Sequence, residues 1–314
     1  MTLSQLEYVL AVDKHRHFVN AAEACFVTQP TLSMQIHKLE EELGILIFDR
    51  SKHPVIPTPE GAIVIKHAKQ MIYEANLLKD ELMNAKGVIE GDLKLGIIPT
   101  VAPYLIPLFV NSITRDYPGI ILIIEELTTE TILQRLRNDM LDAAILATPF
   151  SDSSIQVIPL YYEPFVVYMT ASNPLYSKKI LNSKDISQSR DILVLHEGHC
   201  MQEQVNMFCK KEAQNRSGIV YEAGSIETLR KMVDIRGGIT FLPELAVFDL
   251  AEERMHQIRY FQDPQPAREI SLITHRSFIK KNLLEVLSTV IKDSVPERML
   301  KKTNKEIIQL QMRQ

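Results

Sequence analysis

Two cysteines nine residues apart, Cys200 and Cys209, are the residues of this chain with the most chemistry available to them. They stand in the stretch His196-Glu197-Gly198-His199-Cys200-Met201-Gln202-Glu203-Gln204-Val205-Asn206-Met207-Phe208-Cys209. Gly198 and His199 break the apolar run before them, and Met201, Gln202, Glu203, Gln204 and Met207 are good helix formers, so the pattern predicts a helix over 200–214. On a continuous helix nine residues make about two and a half turns and rise roughly 13.5 Å, which puts the two sulfurs on opposite faces. A disulfide needs Cα atoms within about 7 Å, so this pair bonds only where the helix unwinds. Cys200 also sits at the predicted helix N-terminus beside His199, where the helix dipole and a cationic neighbour both stabilise a thiolate. Two readings stay open on these residues alone: a redox switch, or two ordinary buried cysteines behaving as small hydrophobes.

A chain of 314 residues exceeds what one core usually serves, so two or three domains are expected, and a hydrophobic content of 46% is enough to fill them. The net charge of -4 neither selects nor rejects nucleic acid until its distribution is known. Glu7 and Asp13 interrupt the only early apolar stretch, which argues against a signal peptide, and the most apolar region, 93–110, contains Lys94 and three prolines, which argues against a membrane span. Three cysteines without an export signal fit a cytoplasmic protein, where a disulfide is regulatory rather than structural. No metal site and no cofactor are expected.

The elements that would carry such a switch follow in chain order. Residues 1–58 read as short helices and a small wing. Leu3, Leu6, Val9 and Leu10 recur at helical spacing, and Asn20-Ala21-Ala22-Glu23-Ala24-Cys25-Phe26-Val27-Thr28-Gln29-Pro30-Thr31-Leu32 has the build of a helix-turn-helix. The alanines let two helices approach, Val27 plugs the turn, Thr28 caps the second helix, Pro30 fits its first turn, and Cys25 reads as packing. At 100° per residue, Leu32, Ile36, Leu39 and Leu43 share one side, and Pro30, Thr31, Met34, His37, Lys38 and Glu41 the other. Such a division suits a helix that anchors on one face and reads base edges with the other, and equally a helix of a small bundle. Residues 1–60 hold five basic against eight acidic side chains, so DNA binding would have to concentrate its charge at Lys14, Arg16, Lys38, Arg50 and Lys52.

A long linker helix is expected over 59–87, started by Thr58 and Pro59. Val64, Ala68, Met71, Ala75, Leu78, Leu82 and Ala85 recur with spacings of four and three, an a/d seam that predicts a homodimer through this helix. Residues 88–91 read as a hinge. From residue 92 to 300 short β-branched runs (93–98, 120–125, 141–147, 192–195, 218–221, 239–242) alternate with helical patterns (102–115, 129–140, 200–214, 225–236, 279–292), which predicts parallel, doubly wound sheets. The extended stretch 161–169 is placed to carry the chain from one lobe to another and 263–266 to bring it back, giving lobe I as 92–162 with 267–300 and lobe II as 163–266. The fold class is therefore a winged helix-turn-helix with a long linker helix, followed by a two-lobed α/β effector domain like that of periplasmic binding proteins. Thr100 and Thr129 stand at the strand ends that face the interlobe cleft, positions that also suit helix caps. The polar tail 301–314 reads as disordered or as a helical extension.

Ala21-Ala22, Val27-Thr28-Gln29-Pro30-Thr31-Leu32-Ser33, Gln35-Ile36, Lys38-Leu39-Glu40, Leu43-Gly44 and Phe48-Asp49-Arg50 resemble the signature of LysR-type transcriptional regulators, and 55–61 resembles their wing and linker entry. The resemblance implies double-stranded promoter DNA as partner, with Gln29, Pro30, Thr31, Ser33, Met34 and Lys38 facing it and Arg50 and Lys52 on phosphates. Gly96-Ile97-Ile98-Pro99-Thr100, Glu197-Gly198-His199-Cys200, Phe208-Cys209 and Ser225-Ile226-Glu227-Thr228-Leu229 further resemble the peroxide-sensing OxyR group of that family. That likeness implies Cys200 as peroxidatic thiol, Cys209 as resolving thiol, and a peroxide pocket of Thr100, Thr129, His199, Arg268 and Glu203. It also implies a homotetramer, contact with RNA polymerase and control of oxidative-stress genes, and no enzyme activity. One departure is Val220 and Tyr221, where better-known members of the group carry a histidine in the strand before Ser225. The alternatives are a LysR-type sensor of a small metabolite with incidental cysteines, and a thiol peroxidase or disulfide oxidoreductase; the helix-turn-helix and the lack of a C-x-x-C weigh against the last.

Overall fold

The helices of the N-terminal part follow from where its apolar residues fall. Leu6, Val9 and Val12 line the inner face of α1 (Leu3–His15), which Thr2 and Gln5 start with a reciprocal capping box. Ala21 and Ala22 of α2 (Phe18–Ala24) and Leu32, Ile36 and Leu39 of α3 (Gln29–Leu43) close on it. A short antiparallel wing, β1 (Phe48–Asp49) with β2 (Ile56–Pro57), and the helix α4 (Pro59–Ala85) complete this unit. The computed structural model describes residues 1–85, 89–149, 152–187, 189, 192–195, 201, 204–205, 224–248, 250–276, 278 and 280–308. The chain divides into two units, Met1–Val88 and Ile89–Gln314.

Two expectations for the first unit are corrected. Leu43 is exposed and not part of the apolar face of α3: it is the last helical residue, Gly44 turns the chain in the left-handed region (φ 69°), and Ile47 and Phe48 fill the core instead. Thr28 occupies the cap position of α3, but its hydroxyl pairs with that of Thr31 at 2.8 Å rather than with a backbone amide. Thr58 does cap α4, accepting from the Gly61 amide at 2.9 Å. Along α4 the heptad positions divide. Ala68 is 1% exposed, packed within its own unit with Ile65, and Val64 packs against the same core, whereas Met71, Leu78 and Leu82 are exposed. Ala68 is thus spent on holding α4 to its own helix-turn-helix.

In the second unit β3 (Gly91–Ile97), β4 (Ile120–Glu126) and β5 (Ala143–Thr148) are parallel, with α5 (Ala102–Asp116) and α6 (Thr129–Arg137) between them. Two long strands then run against each other: β6 (Ile155–Met169), and β11 (Gln265–His275), which also pairs antiparallel with β5. Between them in sequence come β7 (Ile180–Leu181), α7 (Ser183–Ser187), β8 (Ile192–Leu193), α8 (Ile226–Arg236), β9 (Ile239–Pro243) and β10 (Ile258–Phe261). After β11 follow α9 (Lys281–Ser294), α10 (Glu297–Leu300) and β12 (Lys305–Ile307).

Residues 155–164 of β6 pair with β11, and residues 165–169 pair with β9. The strand changes partner at Pro164/Phe165, which is how one segment serves two lobes. The sheet is therefore mixed rather than wholly parallel. Physically, β6 carries the chain outward and β11 returns it, so the two neighbours must be opposed. The tail is also corrected: β12 lies parallel to the start of β11, and the Ile308 amide donates to the Ala267 carbonyl at 2.9 Å. Met201, Gln204 and Val205 are helical; the remainder of 200–214 and the strand expected at 218–221 lie outside the described residues. Among the described residues no helix is long and apolar enough to cross a membrane.

Candidate functional site: a reading helix and a buried arginine

On α3, Gln29, Pro30, Thr31, Met34 and Lys38 are exposed on the face opposite Leu32, Ile36 and Leu39. Ser33 is half-buried and accepts from Arg50 Nη1 at 3.4 Å. Arg50 itself is anchored: Nη2 donates to Glu40 Oε2 at 2.8 Å and the guanidinium lies 5.1 Å from the Phe18 ring centroid. Glu40 is buried, and its Oε1 accepts from the amides of Ile47 and Phe48 at 2.8 and 3.4 Å. One carboxylate therefore fixes both the wing's first strand and the basic residue beside it, a role the count of acidic residues did not reveal. Lys52 is exposed in the wing turn, while Arg16 pairs with Asp13 at 2.8 Å. Cys25 is a half-buried free thiol packed against this core, and burial, with Glu7 nearby, pushes its pKa up.

In the second unit Arg268 is 1% exposed and opposes Glu163, also 1% exposed, directly across the β11–β6 pair. Its Nε donates to Glu163 Oε2 at 2.8 Å, Nη1 to the Thr100 hydroxyl at 2.9 Å and Nη2 to the Thr100 carbonyl at 2.9 Å. Glu163 Oε1 accepts from the Leu245 amide at 3.0 Å, in the 3-10 turn Glu244–Val247 that follows β9. The chain of contacts thus runs from Thr100, past β3, through the two crossing strands to the other lobe. Burial pushes the Glu163 carboxyl up, while Arg268 and the Leu245 amide pull it back. Burial also raises Tyr161, whose hydroxyl is enclosed beside the pair and has no hydrogen-bond partner among the described residues.

Thr129 is buried at the first position of α6, and the cap is its neighbour Thr128, which accepts from the Thr131 amide at 3.4 Å. A second link spans the lobes: Tyr104 on α5 donates to Glu227 on α8 at 3.0 Å, and Glu227 also pairs with Arg230. Of the expected site residues, the structure brings Thr100 and Arg268 together; Cys200, Cys209, His199 and Glu203 lie outside the described residues, as do Val220 and Tyr221. The described part of the segment between the cysteines is well held. Met201 and Val205 line a small apolar cavity with Leu195, Leu229, Thr240 and Phe241. Gln204, fully buried, donates to the Ile308 carbonyl at 3.3 Å. Among the described residues no group of three or more His, Cys, Asp or Glu is arranged to hold a metal ion.

Residues 3–62 match the bacterial regulatory helix-turn-helix protein of the lysR family, and residues 86–295 match the LysR substrate binding domain. The chain belongs to the LysR family. It is 34% identical over 298 residues to a hydrogen peroxide-inducible genes activator of Haemophilus influenzae, covering 94% of this chain and 97% of that protein. It is 33% identical over 294 residues to the DNA-binding transcriptional dual regulator OxyR of Escherichia coli, covering 93% and 95%. Among solved structures, a full-length OxyR variant from Pseudomonas aeruginosa superposes with a TM-score of 0.72 at 35% identity, over 93% of this chain and 95% of that one. A hydrogen peroxide-bound OxyR mutant from Corynebacterium glutamicum superposes with a TM-score of 0.60 at 28% identity, over 93% and 94%.

As a LysR-family DNA-binding regulator in the OxyR group, the chain exposes on α3 the polar face that its sequence offers to DNA. In this regulator the residues sequence reasoning missed are Glu163, Glu40, Tyr104 and Glu227. Glu163 did leave a signal: a lone carboxylate inside the apolar run Leu160-Tyr161-Tyr162-Glu163-Pro164-Phe165-Val166 must find a buried partner.

Proposed function

We propose that this regulator senses hydrogen peroxide through Cys200 and Cys209. The Cys200 thiolate attacks one peroxide oxygen, the O–O bond breaks, and the released hydroxide takes a proton to leave as water, giving a sulfenic acid. The Cys209 thiol then attacks that sulfur, a second water leaves, and the intramolecular disulfide forms. Two thiols and one peroxide become one disulfide and two waters. Nine residues of continuous helix would put the two sulfurs on opposite faces, so forming the disulfide calls for the 200–209 segment to unwind, repacking the effector domain and changing promoter binding at oxidative-stress genes. Thr100, Thr129, His199 and Arg268 surround the peroxide, donating hydrogen bonds and stabilising the thiolate, and Glu203 adds an acidic group to the same pocket.

The observation that carries this reading is the buried Arg268 guanidinium, held by Glu163 and directed at Thr100, in a chain whose relatives of full length are named peroxide-inducible activators. A fixed cation and a hydroxyl at the interlobe crossing supply what ionising a thiol and binding a small polar oxidant require. The exposed Met71, Leu78 and Leu82 of α4 support a homodimer, and a homotetramer, RNA polymerase contact and cytoplasmic action complete the proposal. The test is mass mapping of thiols before and after a brief stoichiometric peroxide pulse in a Cys25→Ala background. A Cys200–Cys209 disulfide with altered promoter binding is expected; an unchanged thiol count in folded protein overturns the reading.

A further inference from the structure

The Glu163–Arg268 pair is built unlike a surface ion pair. Both side chains are buried, the two residues are direct cross-strand neighbours, and the carboxylate is itself clamped by the Leu245 amide, which belongs to a different element. A guanidinium gripped by a fixed carboxylate, here with Nε and Nη2 both 2.8 Å from Glu163 Oε2, has its direction set by geometry, and Nη1 and Nη2 then meet the hydroxyl and the carbonyl of Thr100. We propose that Glu163 is a positioning residue: it aims Arg268 at Thr100, offsets part of its charge, and thereby sets the pH at which the Cys200 thiol ionises. This rests on the peroxide-sensing reading for the placement of Cys200.

Among the described residues, the other charged and titratable groups around the pair do not duplicate this role. Glu244 lies behind Glu163 and is paired with Arg298 at 3.0 Å. Tyr161 stays a neutral phenol, and Tyr104, which feels the Arg268 charge, is committed to Glu227, itself paired with Arg230. Removing the Glu163 charge while keeping its shape leaves Arg268 uncompensated in a dry site. Its positive field then grows, and an anionic thiolate nearby forms at lower pH.

The test uses the full-length chain with Cys25→Ala and Cys209→Ser, so that Cys200 is the only thiol, and follows its alkylation by iodoacetamide against pH. Glu163→Gln is expected to move the midpoint down by about half a pH unit or more, roughly threefold faster alkylation below the midpoint. Glu163→Asp, which keeps the charge, is expected to return most of the wild-type profile. A midpoint that stays put or rises in Glu163→Gln overturns the proposal, since a residue that only packs would change melting without moving the profile. An uncompensated arginine cannot shed its proton, so Glu163→Gln carries a folding risk. Arg268→Gln carries a smaller one, because a buried carboxyl left alone can protonate and lose its charge. If Glu163→Gln fails to fold, Arg268→Gln and the double variant Glu163→Gln/Arg268→Gln decide the matter. Coincident profiles, both raised above wild type, support action through Arg268, and differing profiles overturn it. Peroxide consumption by Cys200 in the same single-thiol protein is scored separately: its absence sinks the sensing reading, while the alkylation profile still judges Glu163.

Discussion

The side-chain amide of Gln204 donates to the backbone carbonyl of Ile308 at 3.3 Å, so the segment between the two candidate redox cysteines is tied to the C-terminal strand. Ile308 is held in turn by the Ala267 carbonyl, one residue before Arg268. A tail that composition alone marks as a polar appendage is therefore wedged between the segment expected to move and the strand that carries the buried arginine. Deleting residues 301–314 removes the β12 pairing and this hydrogen bond. With net values of about 1 kcal/mol per hydrogen bond, the effector unit should lose roughly 2–4 kcal/mol. Release of Gln204 should also speed disulfide formation about two- to tenfold. Urea midpoints and quenched-flow thiol trapping measure the two effects. An unchanged midpoint and rate would show that the tail is a bystander.

Gly61 stands where α4 leaves the wing, and a Cβ built there falls 1.9 Å from the Ile47 carbonyl oxygen. The obstructing atom is backbone, in the strand-entry segment that Glu40 and Thr58 also grip, so it cannot swing aside. Gly61→Ala should destabilise the helix-turn-helix unit by at least about 2 kcal/mol, at the upper end of overpacking costs. The expected signature is a lowered first transition in calorimetry with the effector unit's transition unmoved. A single transition at the wild-type temperature would contradict it.

The parts legible in the sequence were those written in local pattern. Periodicity marks α1, α3 and α4, β-branched runs mark β3, β4, β5 and β9, and Thr58 is legible as a cap because capping is settled within four residues. What escaped depended on partners distant in sequence. Glu40 counts as one more acid on an exposed-looking helix until Ile47, Phe48 and Arg50 fold over it. Glu163 and Arg268 are separated by 105 positions, and their pairing follows from the antiparallel register of two strands whose direction periodicity does not encode. Thr128 rather than Thr129 caps α6 for a smaller reason, since a one-residue shift of a helix start leaves the sequence pattern nearly unchanged.

Asp152 gives a pH test with a definite sign. Hydrogen bonds from Ser154, followed by the Arg137 contact, lower its pKa to about 2 in the folded chain. A carboxyl depressed on folding contributes stability that is complete above its unfolded value of about 3.9 and is lost as pH falls through the folded value. The effector unit should therefore weaken between about pH 4 and pH 2 through this group, and Asp152→Asn should flatten that part of the profile while leaving a constant deficit at neutral pH. Urea midpoints of both proteins across this window are the measurement. Parallel profiles would mean that Asp152 is not the group responsible.

The two kinds of exposed residue in the helix-turn-helix predict different failures on DNA. Lys52 stands exposed in the wing turn with only the Asp49 charge acting on it in the described contacts, whereas Arg50 is committed to Glu40 and Ser33 and stands over Phe18. Lys52→Ala should weaken binding to all sequences alike and reduce the slope of log affinity against log salt by about 1, the signature of one lost phosphate contact. Met34→Ala should leave that slope unchanged and alter the ranking among operator variants, because a methionine side chain meets a base edge only through apolar contact. Arg50→Ala should instead lower the melting temperature of the unit, since it leaves the buried Glu40 carboxylate without its cation. Salt titrations of operator binding by anisotropy, paired with melting curves, separate the three. A Met34→Ala protein whose salt slope falls as far as that of Lys52→Ala would remove the reading face assigned to α3.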